Sequence, residues 1–444
     1  MTRAENLRTF VGRWGLFAGL SLLFACSGTS QDSSESGGSA GGTLTLGAVL
    51  PTTGPNAAVG RECADAVQMA AAEWSPRFKE KGWTLEVDVQ DDASDPKQAV
   101  AAAYAVTGKP STFGVVAHYN SGCFLPATEV YHSAGVMAVS PATTNVEITQ
   151  RGYVEIARVP PHDGIQGQVT AEFVRHRLDV VTVAVIHDRT QYGQGLAEVF
   201  REHGQNVGLK ITSFDGISVG DKDFRALLTK VRAAAPDAIY FGGLYDEAGF
   251  LVKQARELGI ASLFVSDDAV KGQDFFDVGG AATEGAIISF PGTPLERLDS
   301  AKNFLSSFQA KYGRPVQNYA PYAYDTANIL LNAAYEAVKE GRPDDLRGAV
   351  VSHTRATQHQ GTLGVTKFDL NGDTLNRKYS FYRVVDGAFE YMETVLLGAA
   401  GQAQEEAGEA APVQATETPS TTGDAAASPA DPSTPPSTAP AGTD

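Results

Sequence analysis

Basic residues are scarce in this chain. Thirty-five lysines and arginines stand against 52 acids, a net charge of −17, and they form no stripe, which excludes nucleic acid as a partner. Cysteine is scarcer still, with three in 444 residues. That rules out a disulfide-dense scaffold and leaves no Cys/His spacing suited to a metal. Catalytic signatures are also missing: there is no G-x-x-x-x-G-K-[ST], no H-E-x-x-H and no G-x-S-x-G nucleophile elbow between a strand and a helix, the one match, Gly37–Gly41, falling in a Ser/Gly-rich stretch. Gly193-Gln194-Gly195 approaches a dinucleotide loop, but Glu198 stands where the third glycine belongs, so it reads as a strand-to-helix turn. His353 and His359 lie in a polar stretch without spaced partners and read as solvated. No catalytic residue and no cofactor is expected.

Long apolar runs are lacking too, apart from Trp14–Ala25, which is too short for a permanent span. It follows Arg3, Arg8 and Arg13 and ends in Leu23-Phe24-Ala25-Cys26, so residues 1–25 have the form of an export signal. The cysteine directly after the apolar run makes Cys26 the expected lipid-attachment site, with ordinary cleavage nearby as the alternative. Residues 26–42, rich in Ser and Gly, read as a tether. Residues 397–444, rich in Ala, Pro, Thr, Ser and Glu, cannot bury a core and are expected to be disordered. The body is thus expected outside the cytoplasm, periplasmic or at the cell surface, touching a bacterial membrane through lipid alone. With Cys26 so used, Cys63 and Cys123 remain, either bridged or as two buried free thiols.

What is present is a strand–helix rhythm. Leu44–Leu50 reads as a buried strand, Trp83–Val89 as an alternating one, and Asp95-Pro96 as a helix start. The acids at 91, 92 and 95 lack the spacing of a calcium loop and read as structural. Gly114–Ala117 and Val136–Val139 are two further short strands, with a helical stripe of Cys123, Ala127, Val130 and Ala134 between them. After a strand at Tyr153–Val159 and a break at Pro160-Pro161, the rhythm restarts with strands at Val181–Ile186, Leu209–Phe214, Asp237–Phe241 and Leu263–Ser266. Gly285–Phe290, Gly364–Leu370 and Lys378–Val385 read as later strands. The expected fold is α/β, two doubly wound parallel-sheet lobes joined by several crossings. The first lobe takes residues 43–159 and 291–373, the second 160–290 and 374–396.

The unit around Gly114–Val139 places two loops, Tyr119–Gly122 and Pro141–Asn145, side by side at the carboxyl edge of one sheet, where such folds bind ligands. Ser121 and Thr144 would sit there near helix starts with free N–H groups, which suits a small carboxylate. Thr144-x-x-Glu147 equally reads as a capping box, and Ser121 as the end of a loop.

Several stretches in order carry a resemblance: DDASDPKQAV at 91–100, SPATTNVE at 140–147, HDRTQYGQGLA at 187–197, FGG at 241–243 and GVTKFDLNGD at 364–373. Over Leu44–Tyr391 the chain resembles the periplasmic solute-binding proteins of ABC transporters, in the leucine/isoleucine/valine-binding group with the type I bilobal fold. The resemblance implies capture of an amino acid, branched-chain or related, by lobe closure, with a membrane permease as partner. It places the carboxylate at Ser121 and Thr144, and the ammonium at the Ala142 carbonyl, Thr144 and Asp268, where glutamate is usual. Tyr192 would line the cleft. A second tyrosine of the family falls at Leu244, with Tyr245 adjacent, and an aromatic falls at Val59. Tyr119, Asn120 and Tyr319 complete the candidate wall, and Phe124 is read as core. The family's disulfide cysteines fall at Ser94 and Asn120, so that bridge is absent, and Cys63–Cys123 would be its replacement if bridged. A ligand-sensing lipoprotein, or a binder of an amide or aromatic acid in place of an α-amino acid, are the alternatives.

Overall fold

The computed structural model describes residues 41–397 and the backbone of 403–405. The export signal, Cys26, nearly all of the tether and the remainder of the tail lie outside the described residues. Five strands form the first sheet: β1 Thr43–Leu50, β2 Thr84–Asp91, β3 Thr112–Ala117, β4 Met137–Ser140 and β5 Ile156–Arg158. All pair in parallel, in the order β2-β1-β3-β4-β5. The second sheet repeats that order with β6 Thr182–His187, β7 Lys210–Gly216, β8 Ala238–Gly242, β9 Leu263–Ser266 and β10 Ile287–Pro291, arranged β7-β6-β8-β9-β10. A separate hairpin follows, β11 His359–Gly361 with β12 Gly364–Thr366. β13 Lys378–Val385, β14 Ala388–Leu397 and β15 Ala403–Glu405 then extend the second sheet antiparallel beyond β10.

Burial explains the strand patterns. β1, β3 and β4 are central, covered by helices on both faces, and are apolar almost throughout. β2 and β7 are edges and alternate in exposure, as their sequences do. Each sheet carries a core on either face. One first-lobe core joins Leu46, Val116, Phe308 and Leu330, and the other joins Val49, Val115, Phe124 and Tyr131. Phe124 is fully buried there.

Where the structure differs from the sequence expectations, local chemistry is responsible. The expected strand at Tyr153–Val159 shortens to β5, because at its start Ile156 N–H closes a turn onto the Tyr153 carbonyl (3.2 Å) and at its end Val159 bends into the crossing at Pro160-Pro161. Gly364–Leu370 gives only β12, closed into its hairpin. The second sheet is mixed, not purely parallel, because β13 returns as a hairpin partner of β14. Ala403–Glu405, inside the stretch expected to carry no structure, pairs with Val395–Leu397. Cys63 and Cys123 are both free and buried, so no bridge ties them. Burial pushes both thiols up, away from reactivity.

The acids of 91–95 each have a structural task. Asp91 accepts from the Thr52 and Ala93 N–H groups (2.8 and 2.9 Å), and Asp92 from Ser94 N–H (3.0 Å). Asp95 caps the helix Pro96–Thr107, accepting from Lys97 and Gln98 N–H at 2.9 Å each. Asp95→Ala is expected to cost about 1 kcal/mol, read as a lower urea midpoint at unchanged slope.

Candidate ligand site

The chain crosses between lobes three times, after β5, after β10 and before β13, so the carboxyl ends of the two parallel sheets face each other. Between them lies a cavity of about 260 Å³. Its first-lobe wall comes from the loops after β2, β3 and β4, and its second-lobe wall from those after β6, β8 and β9.

The loop after β3 carries Tyr119 and Asn120 and opens the helix Ser121–Ser133. Asn120 holds the N-cap position, yet its side chain makes no capping bond. The first turn therefore keeps N–H groups at Ser121 and Gly122, on the cavity wall, available to an anion. Ser121 Oγ accepts from Asn145 N–H at 3.3 Å, which joins the loops after β3 and β4. Ala142 also lines the cavity. Thr144 does not. It is 1 % exposed, its carbonyl accepts from Asp163 N–H at 2.8 Å, and its hydroxyl acts on the Asp163 carboxyl. It makes no capping box either: Asn145 Oδ1 accepts from Glu147 N–H (3.0 Å), and the short helix Glu147–Gln150 has no side-chain cap.

From the second lobe come Thr190, Gln191, Tyr192, Leu244, Asp268 and Ala269. Asp268 is the one carboxyl group on the wall, which carries no Lys, Arg or His. It is 3 % exposed and accepts from Tyr192 Oη at 2.9 Å and from Tyr319 Oη of the first lobe. Its turn is fixed by Asp267, which accepts from Ala269 N–H (3.1 Å) and Gly243 N–H (2.9 Å). Burial raises both carboxyls above the usual carboxylate range. Beneath them Asp163 is pushed up to about 8 by burial, against a smaller pull from the Thr144 hydroxyl. Neither Asp163 oxygen has a hydrogen-bond partner in good geometry among the described residues.

Of the remaining candidates, Tyr119 and Tyr319 line the cavity and meet edge to face, 5.6 Å between centroids. Tyr245 is not on the wall. Its hydroxyl spans the cleft to the Pro55 carbonyl at 2.8 Å, while Leu244 beside it faces the cavity. Val59 packs on the first-lobe core. Three further bonds cross the cleft: Asn145 Nδ2 to the Gln191 carbonyl at 2.7 Å, Lys271 Nζ to Asn318 Oδ1 at 3.3 Å, and Asn318 Nδ2 to the Lys271 carbonyl.

Arg158 is the important residue that the sequence reading missed. It is fully buried and binds Asp373 Oδ1, Thr149 Oγ1 and the Asn145 carbonyl, each at 2.6 Å. It thereby pins the loop after β4 to the crossing before β13.

Two matching α/β lobes around a cavity, with a helix start on one side and a single carboxyl group on the other, define a receptor for a small solute. The chain belongs to the periplasmic binding protein family, whose model matches residues 43–388, and within it to the type I, Leu/Ile/Val-binding group. It is a solute-binding protein and not an enzyme. It is 34 % identical over 363 residues to the leucine-, isoleucine-, valine-, threonine- and alanine-binding protein of Pseudomonas aeruginosa, covering 82 % of this chain and 95 % of that one. It is 31 % identical over 360 residues to the Leu/Ile/Val-binding protein homolog 1 of Brucella suis, with 80 % and 95 % covered. Among solved structures it is similar to the leucine-binding protein of Thermotoga maritima, with TM-score 0.72, 26 % identity, and 80 % and 99 % covered. The branched-chain amino acid transporter substrate-binding protein of Streptococcus pneumoniae in complex with isoleucine gives TM-score 0.71 and 26 % identity, with 78 % and 98 % covered.

Proposed function

We propose that the protein captures an α-amino acid outside the cytoplasm and presents it to the permease of an ABC importer, held at the membrane by lipid on Cys26. One observation carries the ligand class: the sole charged wall residue, Asp268, lies across the cavity from the uncapped helix start at Ser121. A zwitterion fits that polarity. Its carboxylate takes the Ser121 and Gly122 N–H groups and the Ser121 hydroxyl, and its ammonium takes the Ala142 carbonyl and Asp268. Thr144 then serves from behind the wall, tying the loop to Asp163. Because Asp268 comes from the second lobe, the ammonium gains its partner only when the lobes are together, and ligand binding drives closure by that difference. Among the described residues no helix is long and apolar enough to cross a membrane. The Pseudomonas aeruginosa relative named above is an amino-acid-binding protein, which supports the reading.

Calorimetry with L-leucine and mass spectrometry of ligand carried through gentle purification test it. An amino acid recovered intact is expected, and recovery of another solute class together with no heat from amino acids would overturn it. Affinity is also expected to depend on pH with a definite sign. Burial holds the Asp268 carboxyl above its usual range, while a bound ammonium requires the carboxylate. Above that raised pKa no proton is exchanged and affinity is level. Below it binding must expel one proton, so affinity falls by up to about tenfold per pH unit. Titrations across acid to neutral pH, repeated in Asp268→Asn, check this. The variant should lose the slope.

A further inference from the structure

We infer that the captured amino acid carries a neutral hydrogen-bonding side chain, a hydroxyl or primary amide, in preference to a plain alkyl one. This rests on the amino-acid reading above and adds the side-chain class. Where the resemblance places two bridged cysteines, this chain has Ser94 and Asn120, and both line the cavity. Behind them Asn56, 2 % exposed, gives its Nδ2 to Ser94 Oγ at 3.0 Å and to Asn120 Oδ1 at 3.4 Å. Its own Oδ1 is buried and unpartnered among the described residues. The three residues form a polar relay that ends at the wall. Both bonds come from the one Asn56 nitrogen, so Ser94 still has its O–H to donate and Asn120 its Nδ2.

Two local features aim these groups inward. Asn120 forgoes the capping bond that an asparagine normally makes at its position. Ser94 sits in the left-handed region with φ 59°, its N–H tied back to Asp92 at 3.0 Å. Gln191 adds a polar residue to the wall from the opposite lobe. Alkyl groups placed against such a wall strand its polar atoms, whereas a hydroxyl or amide satisfies them. An acidic side chain is disfavoured, since no base lines the cavity and Asp268 is close. Basic side chains find no second acid on the wall.

Two nearly isosteric pairs test the inference by calorimetry on the full chain: L-threonine against L-valine, and L-asparagine against L-leucine. The polar member of at least one pair is expected to bind about tenfold tighter or more. In a Ser94→Ala, Asn120→Val double variant, shown folded by its melting transition and by binding of any one of the four, that ratio should collapse or invert. If valine and leucine bind as tightly as threonine and asparagine, or the ratio survives the double substitution, the side-chain inference is overturned while amino-acid capture stands. If none of the four binds the wild-type protein, capture of an amino acid falls and this inference falls with it.

Discussion

Asp268→Ala is expected to weaken amino-acid binding by about 2–5 kcal/mol, roughly 30- to 5000-fold in Kd. The magnitude follows from what the substitution leaves behind. With Asp268 gone, the wall holds no carboxylate, and a bound ammonium is left with neutral acceptors alone. Tyr192 and Tyr319 lose their shared acceptor as well. Because Tyr319 belongs to the first lobe, its bond to Asp268 is one of those joining the lobes. Asp268→Asn separates the two effects. An amide keeps an acceptor for one tyrosine and the shape of the wall but removes the charge, so closure contacts persist while ammonium affinity drops. Calorimetry on both variants, with thermal melting as the control for folding, reads the difference. An Asp268→Ala protein with unchanged Kd would remove this residue from the site.

Much of this arrangement was legible in the sequence because it rests on local rules. Buried central strands announce themselves as short apolar runs, and Asp95-Pro96 is a helix start in any context. Given the crossover topology, the loops after β3 and β4 had to meet, and Ser121 Oγ does meet Asn145 N–H. The sequence failed where long-range packing decides. Thr144 looks like a wall residue from its place in the loop, but the first residues of the helix Asp163–His176 approach from behind and engage it. Tyr245 looked like a substitute for the missing tyrosine at Leu244, yet the helix Tyr245–Glu257 begins there and turns its ring to the cleft mouth. The chance of a Cys63–Cys123 bridge rested on two cysteines near helix starts, a proximity that spacing alone cannot measure. Arg158 gave no signal at all. One arginine at a strand end reads as surface, and its partners lie as far as 215 positions away.

That arginine carries the second large effect. Arg158→Met is expected to lower global stability by about 3–5 kcal/mol, the usual result of removing one member of a buried ion pair. The guanidinium is wholly enclosed while Asp373 is only partly so, with side-chain exposures of 0 % and 13 %. The loss is thus expected toward the lower end if water can reach Asp373 and toward the upper end if it cannot. A paired Arg158→Met, Asp373→Leu variant distinguishes these. If the cost lies in the stranded carboxylate, the second change recovers most of the stability. Binding should not recover with it. The Arg158 Nη1 bond to the Asn145 carbonyl holds the loop that carries Ala142 and Thr144, and neither methionine nor leucine can replace that donor. Stability restored with affinity still impaired would mark Arg158 as a positioning residue for the ligand loop. Full recovery of both would reduce it to a packing element of the hinge. Urea unfolding alongside leucine calorimetry on the single and paired variants decides between the two.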